Sequence, residues 1–402
     1  MSQIDVSELF SQQTLNDPLS FYGRIREQEK LVYTNLGDVR FWIIATSYAE
    51  TIELLKDPRL VCDRRNASAQ GVEQPAYGGP LALFSQNMLG TDPPDHTRLR
   101  TLVSKAFTPR MIERLRPRIQ QITDELLDAV QDQGHMDLIA DFAYPLPITV
   151  ISEMLGIPSA DRQRFRTWTQ DLLAFLAAPE KMAEGMAAAE TFIAYIKALL
   201  GDKRAHPAND LTSDLVRVKE QGDSLSEQEL VSMIFLLILG GHETTVNLLG
   251  NGVLTLLQHP EQLRLLQHNP DVLNPAVEEL LRYTAPVSFT GTRWAREDIP
   301  LYGQVIRQGD VVRLSLCAAD TDPQQFTDPQ TLDITRSVNR HLAFSKGIHV
   351  CLGAPLARLE GQIAIGTLFQ RFPHLHLANE QEPLSWNPVP YLRGLQRLAV
   401  AF

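Results

Sequence analysis

The stretch from Ser226 to His259 constrains the fold more than any other. Ser226, with Glu229 three residues on, is a capping box, so a helix begins here. Leu230 to Leu239 is almost wholly apolar. A helix apolar all round belongs inside a protein, and this run is too short to span a bilayer. The sequence therefore predicts a central buried helix over about 227–259 in a large, helix-rich protein. Gly240-Gly241-His242-Glu243-Thr244-Thr245 interrupts the apolar run. Each mid-helix glycine costs about 1 kcal/mol relative to alanine. A carboxylate in so apolar a helix needs partners or a raised pKa. Two local rules broken side by side mark a functional site. The glycines admit a bulky group to the backbone, and Glu243 with Thr244 sets an acid beside a hydroxyl.

A second motif is Phe344-Ser345-Lys346-Gly347-Ile348-His349-Val350-Cys351-Leu352-Gly353. A helical pattern follows, with Leu352, Leu356, Leu359 and Ile363 on one face, so Cys351 stands just before a helix N-terminus. Free N–H groups and the positive end of the helix dipole favour an anion there, and are expected to lower the thiol pKa. Gly347 and Gly353 permit close approach of the main chain to a flat ligand, and His349 is placed to reach an acidic group on it. His96 and Arg100 are four apart and share a helix face, two donors suited to an anion. Glu279 and Arg282, three apart, share another.

The Phe344-x-x-Gly347-x-His349-x-Cys351-x-Gly353 pattern resembles the haem-ligand loop of the cytochrome P450 family. His96-x-x-x-Arg100, Gly240-Gly241-x-Glu243-Thr244 and Glu279-x-x-Arg282 precede it in that family's order. The resemblance implies a mainly α fold: one cytochrome P450 domain over 1–402, with β-rich parts at about 30–45 and 299–316. It implies a haem-thiolate monooxygenase with haem b (iron protoporphyrin IX) as cofactor and O2 as cosubstrate. One oxygen atom would enter a mid-sized hydrophobic molecule by hydroxylation or epoxidation, the other leaving as water. Cys351 would be the metal ligand. Glu243 and Thr244 would deliver protons. His96, Arg100, Arg293, His341 and His349 would hold the haem propionates, with Gly240, Phe344, Gly347 and Gly353 completing the cofactor seat. Glu279, Arg282 and Arg336 would form a structural cluster. Phe84, Leu236, Leu239, Val287, Phe289 and Leu392 would line the substrate pocket, with a substrate-contacting loop at 65–90 and a helix pair that lids the pocket at 168–193. No flavin or nicotinamide signature is evident, so electrons would come from a separate ferredoxin and its reductase. These would dock on the cysteine side, near Lys105, Arg110 and Lys346. A peroxide-driven peroxygenase of this kind would replace the acid–alcohol pair, and a haem-binding sensor would not need it.

Composition adds exclusions. The formal net charge of −11 over 402 residues argues against a nucleic-acid partner. Cys62, Cys317 and Cys351 are far apart with no CxxC pair, which disfavours a cysteine-built zinc or iron–sulfur site and fits a reducing cytoplasm. Met1 to Phe10 is polar and acidic, so neither a signal peptide nor a membrane anchor is expected. In order along the chain, Asp17-Pro18 opens a helix and Leu31–Tyr33 with Arg40–Ile44 forms a hairpin around Gly37-Asp38. Helices start near Ser47 and after Asp92, and Gly71, Pro75, Gly78, Gly79 and Pro80 keep 65–90 irregular. Trp168, Leu172, Leu173, Phe175 and Leu176 give 168–193 an apolar face, and Ile299–Ile306 forms a second hairpin before a strand at 311–316. Pro388, Pro390 and Tyr391-Leu392 form a turn-rich hairpin.

Overall fold

The computed structural model describes residues 8–9, 11–36, 39–67, 82–83, 86–177, 181–218, 222–387, 389 and 391–402. The longer helices are α1 Pro18–Gln28, α2 Tyr48–Leu55, α3 Asp95–Ala106, α4 Arg116–Val130, α5 Pro145–Met154 and α6 Arg162–Ala177. They continue with α7 Met182–Ala205, α8 Glu227–Gln258, α9 Pro260–His268, α10 Leu273–Thr284 and α11 Ala354–Arg371. The start signals act as the sequence predicts. Asp17 caps α1, Ser47 closes a capping box with Glu50 on α2, and Ser226 does the same with Glu229 on α8.

α8 is the axis of the helical part, with α5, α10 and α11 packed on it. By length and composition α8 could cross a membrane, but 61% of its most apolar window is buried inside the protein, as befits a core helix. Close packing is written into the neighbouring helices. A Cβ on Gly361 of α11 would lie 3.2 Å from Leu248 of α8 and 3.3 Å from Val277 of α10, so a side chain there would hold the three helices apart.

Among the described residues ten strands make three small sheets: β1 Leu31–Leu36, β2 Val39–Ile44, β3 Leu60–Val61, β4 His135–Asp137, β5 Arg293–Ala295, β6 Ile299–Leu301, β7 Gln304–Ile306, β8 Val311–Leu314, β9 His376–Leu377 and β10 Ala399–Ala401. The largest has the order β1-β2-β8-β5-β3. β1 and β2 are the expected hairpin, with Leu31 opposite Ile44; its turn, Gly37-Asp38, lies outside the described residues. β8 joins β2 in parallel, Phe41 opposite Val311. Asp310 locks that junction, accepting from Trp42 Nε1 at 2.8 Å and from the Arg40 amide at 3.0 Å.

The chain between β8 and the cysteine loop is pinned by one carboxylate. Glu279 on α10 accepts from Arg282 at 2.7 and 2.8 Å, from Arg336 Nε at 3.1 Å, from Asn339 Nδ2 at 2.9 Å and from the Asp333 amide at 3.1 Å. Arg282 also donates to the carbonyls of Asp320 and Pro329. Both side chains of the Glu279–Arg282 pair are fully buried. Breaking such a pair leaves an uncompensated charge and costs about 3–5 kcal/mol.

Candidate active site

On α8, Leu236, Leu239, Gly240, Glu243 and Thr244 keep some exposure, while Leu237, Ile238 and His242 are buried. That spacing is one helical stripe, so one face of a core helix fronts open space. The two glycines serve different ends. A Cβ on Gly240 would meet nothing within 4 Å, whereas one on Gly241 would come to 3.1 Å from Ile151 of α5. Gly240 leaves room for a ligand and Gly241 leaves room for a helix. Thr244 Oγ1 donates to the Gly240 carbonyl at 2.9 Å. Glu243 Oε1 lies 3.8 Å from Nε2 of the fully buried His242. Nδ1 of His242 donates to the Ile238 carbonyl at 2.7 Å, and Nε2 has no hydrogen-bond partner.

Cys351 sits where expected, its N–H donating to the Phe344 carbonyl at 3.0 Å, three residues before α11. Gly347 makes the preceding turn at φ +81°, a left-handed conformation that glycine adopts without strain. The thiol departs from expectation. Burial pushes its pKa up, and this outweighs the amides of Gly353 and Ala354 and the charges of Arg100 and Arg358, which all favour the thiolate. The helix end helps, but the protein crowded around this thiol hurts more, even though the residue keeps exposed surface. Coordination to a cation is what removes such a proton outright.

Four of the five expected anion contacts come together beside this thiol. The rings of His96 and His349 stack at 4.4 Å between centroids. Burial, with His96, Arg293 and Arg100 close by, drives His349 down to about 3, so the imidazole is neutral. Burial and Arg100 lower His96 as well, and neither of its ring nitrogens has a partner. Among the described residues no carboxylate stands within ion-pair distance of Arg100 or Arg293; Arg293 donates only weakly to the Leu60 carbonyl, at 3.4 Å. Unpaired buried donors and uncompensated guanidiniums cost free energy unless an anion arrives. Such a cradle can hold an acidic ligand.

His341 does not join it. Its Nδ1 accepts from the Ala343 amide at 3.2 Å and its Nε2 faces Glu278 at 3.1 Å, so both nitrogens are already taken by protein groups. Phe289 also departs from its expected place in the pocket. It is 1% exposed and packs edge-on against Tyr22, in the core beneath the largest sheet. The chain there pairs Phe289 with Ser315, and Tyr22 from the first helix closes over the ring. Val287, two residues away, keeps some exposure and bridges Leu392, so those two expected pocket residues do meet. Phe84, Pro388, Pro390 and most of 65–90 lie outside the described residues, as do the side chains of Leu173, Phe175 and Leu176.

Three groups escaped the sequence reading. Glu360 is fully buried on α11 beside Thr245, and burial raises its pKa to about 8. Its signal was present: a lone acid on the stripe of Leu356 and Ile363. Cys62 Sγ lies 3.3 Å from His349 Nε2, a contact that no spacing predicts. Asp92 stands near both, but its oxygens accept from the amides of Cys62 and Asp63 and from Asn66, which makes it a clamp for the chain. Glu278 and Arg358 form an ion pair behind the cysteine loop.

The cytochrome P450 family model matches residues 37–392. Cytochrome P450 CYP107DY1 of Priestia megaterium is 50% identical, with 100% of both chains covered. Among solved structures, myxobacterial cytochrome P450 CYP267B1 in complex with myristic acid is 44% identical, with 99% of each chain covered and a TM-score of 0.91. P450BioI in complex with acyl carrier protein ligated to hexadec-9Z-enoic acid is 42% identical, covering 98% of this chain and 100% of that one, with a TM-score of 0.87. With the thiol, the cationic cradle and the opened helix already in place, these matches show that the chain belongs to the cytochrome P450 family, whose monooxygenases use haem b and O2.

Proposed function

We propose that this protein inserts one oxygen atom from O2 into a mid-sized hydrophobic molecule, by hydroxylation or epoxidation. Haem b supplies the oxygen activation when bound. The residues fit that group. Cys351 offers the sulfur ligand, and Gly240 leaves the face of α8 clear. His96, Arg100, Arg293 and His349 form the seat for two propionates, and the orphaned nitrogens of His96 are the observation that carries this assignment. Glu243 and Thr244 pass protons along the open stripe of α8, where a carboxylate and a hydroxyl stand side by side at the edge of the pocket.

Leu236 and Leu239 on the same stripe, with Val287 and Leu392 beyond, give the substrate an apolar wall. Two of the similar structures hold fatty-acyl ligands, myristic acid and hexadec-9Z-enoic acid on a carrier protein, which supports long aliphatic chains as the first compounds to try. The chain reads as one domain working in the cytoplasm. Electrons come from a ferredoxin and its reductase, which dock where Lys105, Arg110 and Lys346 are exposed. The test is a panel of fatty acids, acyl-carrier conjugates and polycyclic compounds, scored by the spin-state change in the Soret band and then by NADH-coupled O2 uptake with a ferredoxin system. A ligand that shifts the spectrum and yields an oxygenated product supports the reading. Turnover with peroxide alone and none with the ferredoxin system would overturn it.

A further inference from the structure

A second charged assembly stands behind the cysteine loop. Glu278 on α10 accepts from Arg358 on α11 twice, from Nε at 2.6 Å and from a terminal nitrogen at 2.8 Å. His341 donates to the same carboxylate through Nε2, since its Nδ1 accepts from Ala343. Burial works against the Glu278 carboxylate, but the hydrogen bonds from His341 and Arg358 outweigh it and hold its pKa at about 2. Arg358 then lies with its guanidinium carbon 4.6 Å from the centre of the Phe344 ring, and the Phe344 carbonyl accepts the Cys351 N–H. The Arg358 side chain is 37% exposed. Unclamped, so long a side chain would recover its rotamer freedom in water. Held in a bidentate fork, it keeps its charge beside the sulfur.

We propose that Glu278 is a positioning residue that clamps Arg358 over Phe344, so that a fixed positive charge beside Cys351 weakens the sulfur's electron donation to the iron. The inference rests on Cys351 being the thiolate ligand. A positive charge near a thiolate draws density toward itself, so the iron takes up an electron more readily. Glu278 carries a negative charge of its own, and its two effects have opposite signs. Removing a bare carboxylate favours reduction, whereas releasing Arg358 opposes it.

A double-mutant cycle separates the two. The one-electron reduction equilibrium of the haem-loaded, substrate-free protein is measured for the parent, Glu278→Ala, Arg358→Gln and the double variant at one salt concentration. Arg358→Gln is expected to shift the equilibrium toward the oxidised form about tenfold, which is about 59 mV for one electron. Glu278→Ala is expected to shift it the same way in the parent, and to have no effect or the reverse effect once Arg358 is gone. Equal shifts in both backgrounds would sink the clamp. Should Glu278→Ala fail to load haem, Glu278→Gln, which keeps one acceptor oxygen, is expected to give a smaller shift of the same sign. The carbon monoxide complex of the reduced protein is read in the same samples. A thiolate-type Soret band in the parent with an additive cycle refutes the clamp alone. A Soret band of the imidazole type in the parent refutes the ligand assignment, and the clamp with it.

Discussion

Glu360 is a carboxyl group with no room to ionise. Burial raises its pKa to about 8, from 4.5 for an exposed glutamic acid, and the Thr245 hydroxyl only partly offsets this. The native state therefore holds a proton that the unfolded chain gives up near pH 4.5. Between those two values the unfolded state binds fewer protons, so stability falls as pH rises. Below about pH 4.5 the acid is neutral in both states and costs nothing; above about pH 8 the penalty is complete, on the order of a few kcal/mol. Glu360→Gln cannot ionise. It is expected to match the parent in urea unfolding near pH 4.5 and to unfold at clearly higher urea at pH 9. Equal midpoints at pH 9 would show that the group already ionises at no cost. Single residues were legible in the sequence where a fixed spacing surrounds them, as with Cys351 and His349. They were not where a partner far along the chain decides. His341 was read from its place before the cysteine loop, but Glu278, 63 residues earlier, claims it. Phe289 was read as pocket by resemblance, yet Tyr22, far earlier in the chain, takes it into the core.

Helix α8 shows how an element can be right in outline and still hide its purpose. Its start, its end and its burial were all legible, because a capping box and an apolar run are local signals. The division of labour between its glycines was not, because it depends on what lies opposite. Alanine at either position gains helix propensity of about 1 kcal/mol. At Gly240 no protein atom stands within 4 Å, so Gly240→Ala is expected to raise the melting temperature of the haem-free protein by a few degrees, while its methyl takes some of the room kept for the ligand. At Gly241 the new methyl meets Ile151 at 3.1 and 3.2 Å, and the gain is spent moving α5. Gly241→Ala is expected to melt below Gly240→Ala in the same calorimetric scan. The reverse order would mean that the space before Gly240 is not free. Sheets obeyed the same rule. Both hairpins were visible as local alternation, but the parallel union of β2 with β8 joins residues about 270 apart, and no window of sequence contains it.

At the scale of the whole molecule, a net charge of −11 taken alone argues against an acidic electron donor. Screening decides otherwise. The Debye length is about 8 Å at physiological salt, so a docking partner feels the charges near its contact and little of the far side. Near the cysteine loop, Lys346 is exposed, and Lys105 at the end of α3 and Arg110 just beyond it are exposed as well. A surface recess of about 460 Å³ opens there between Arg340, Lys346, Phe344 and Val350, with charged and apolar walls together. Two regimes follow. At very low salt the acidic bulk repels an acidic ferredoxin, and added salt speeds reduction. Above about 0.1 M only the local cations remain in range, and added salt slows it. The rate of reduction by a ferredoxin should therefore pass through a maximum as ionic strength rises. Replacing Lys105, Arg110 and Lys346 with glutamine should remove the falling limb and lower the maximum several-fold, with the ferrous carbon monoxide spectrum unchanged. A rate that rises monotonically with salt in the parent would place the electron donor on another face.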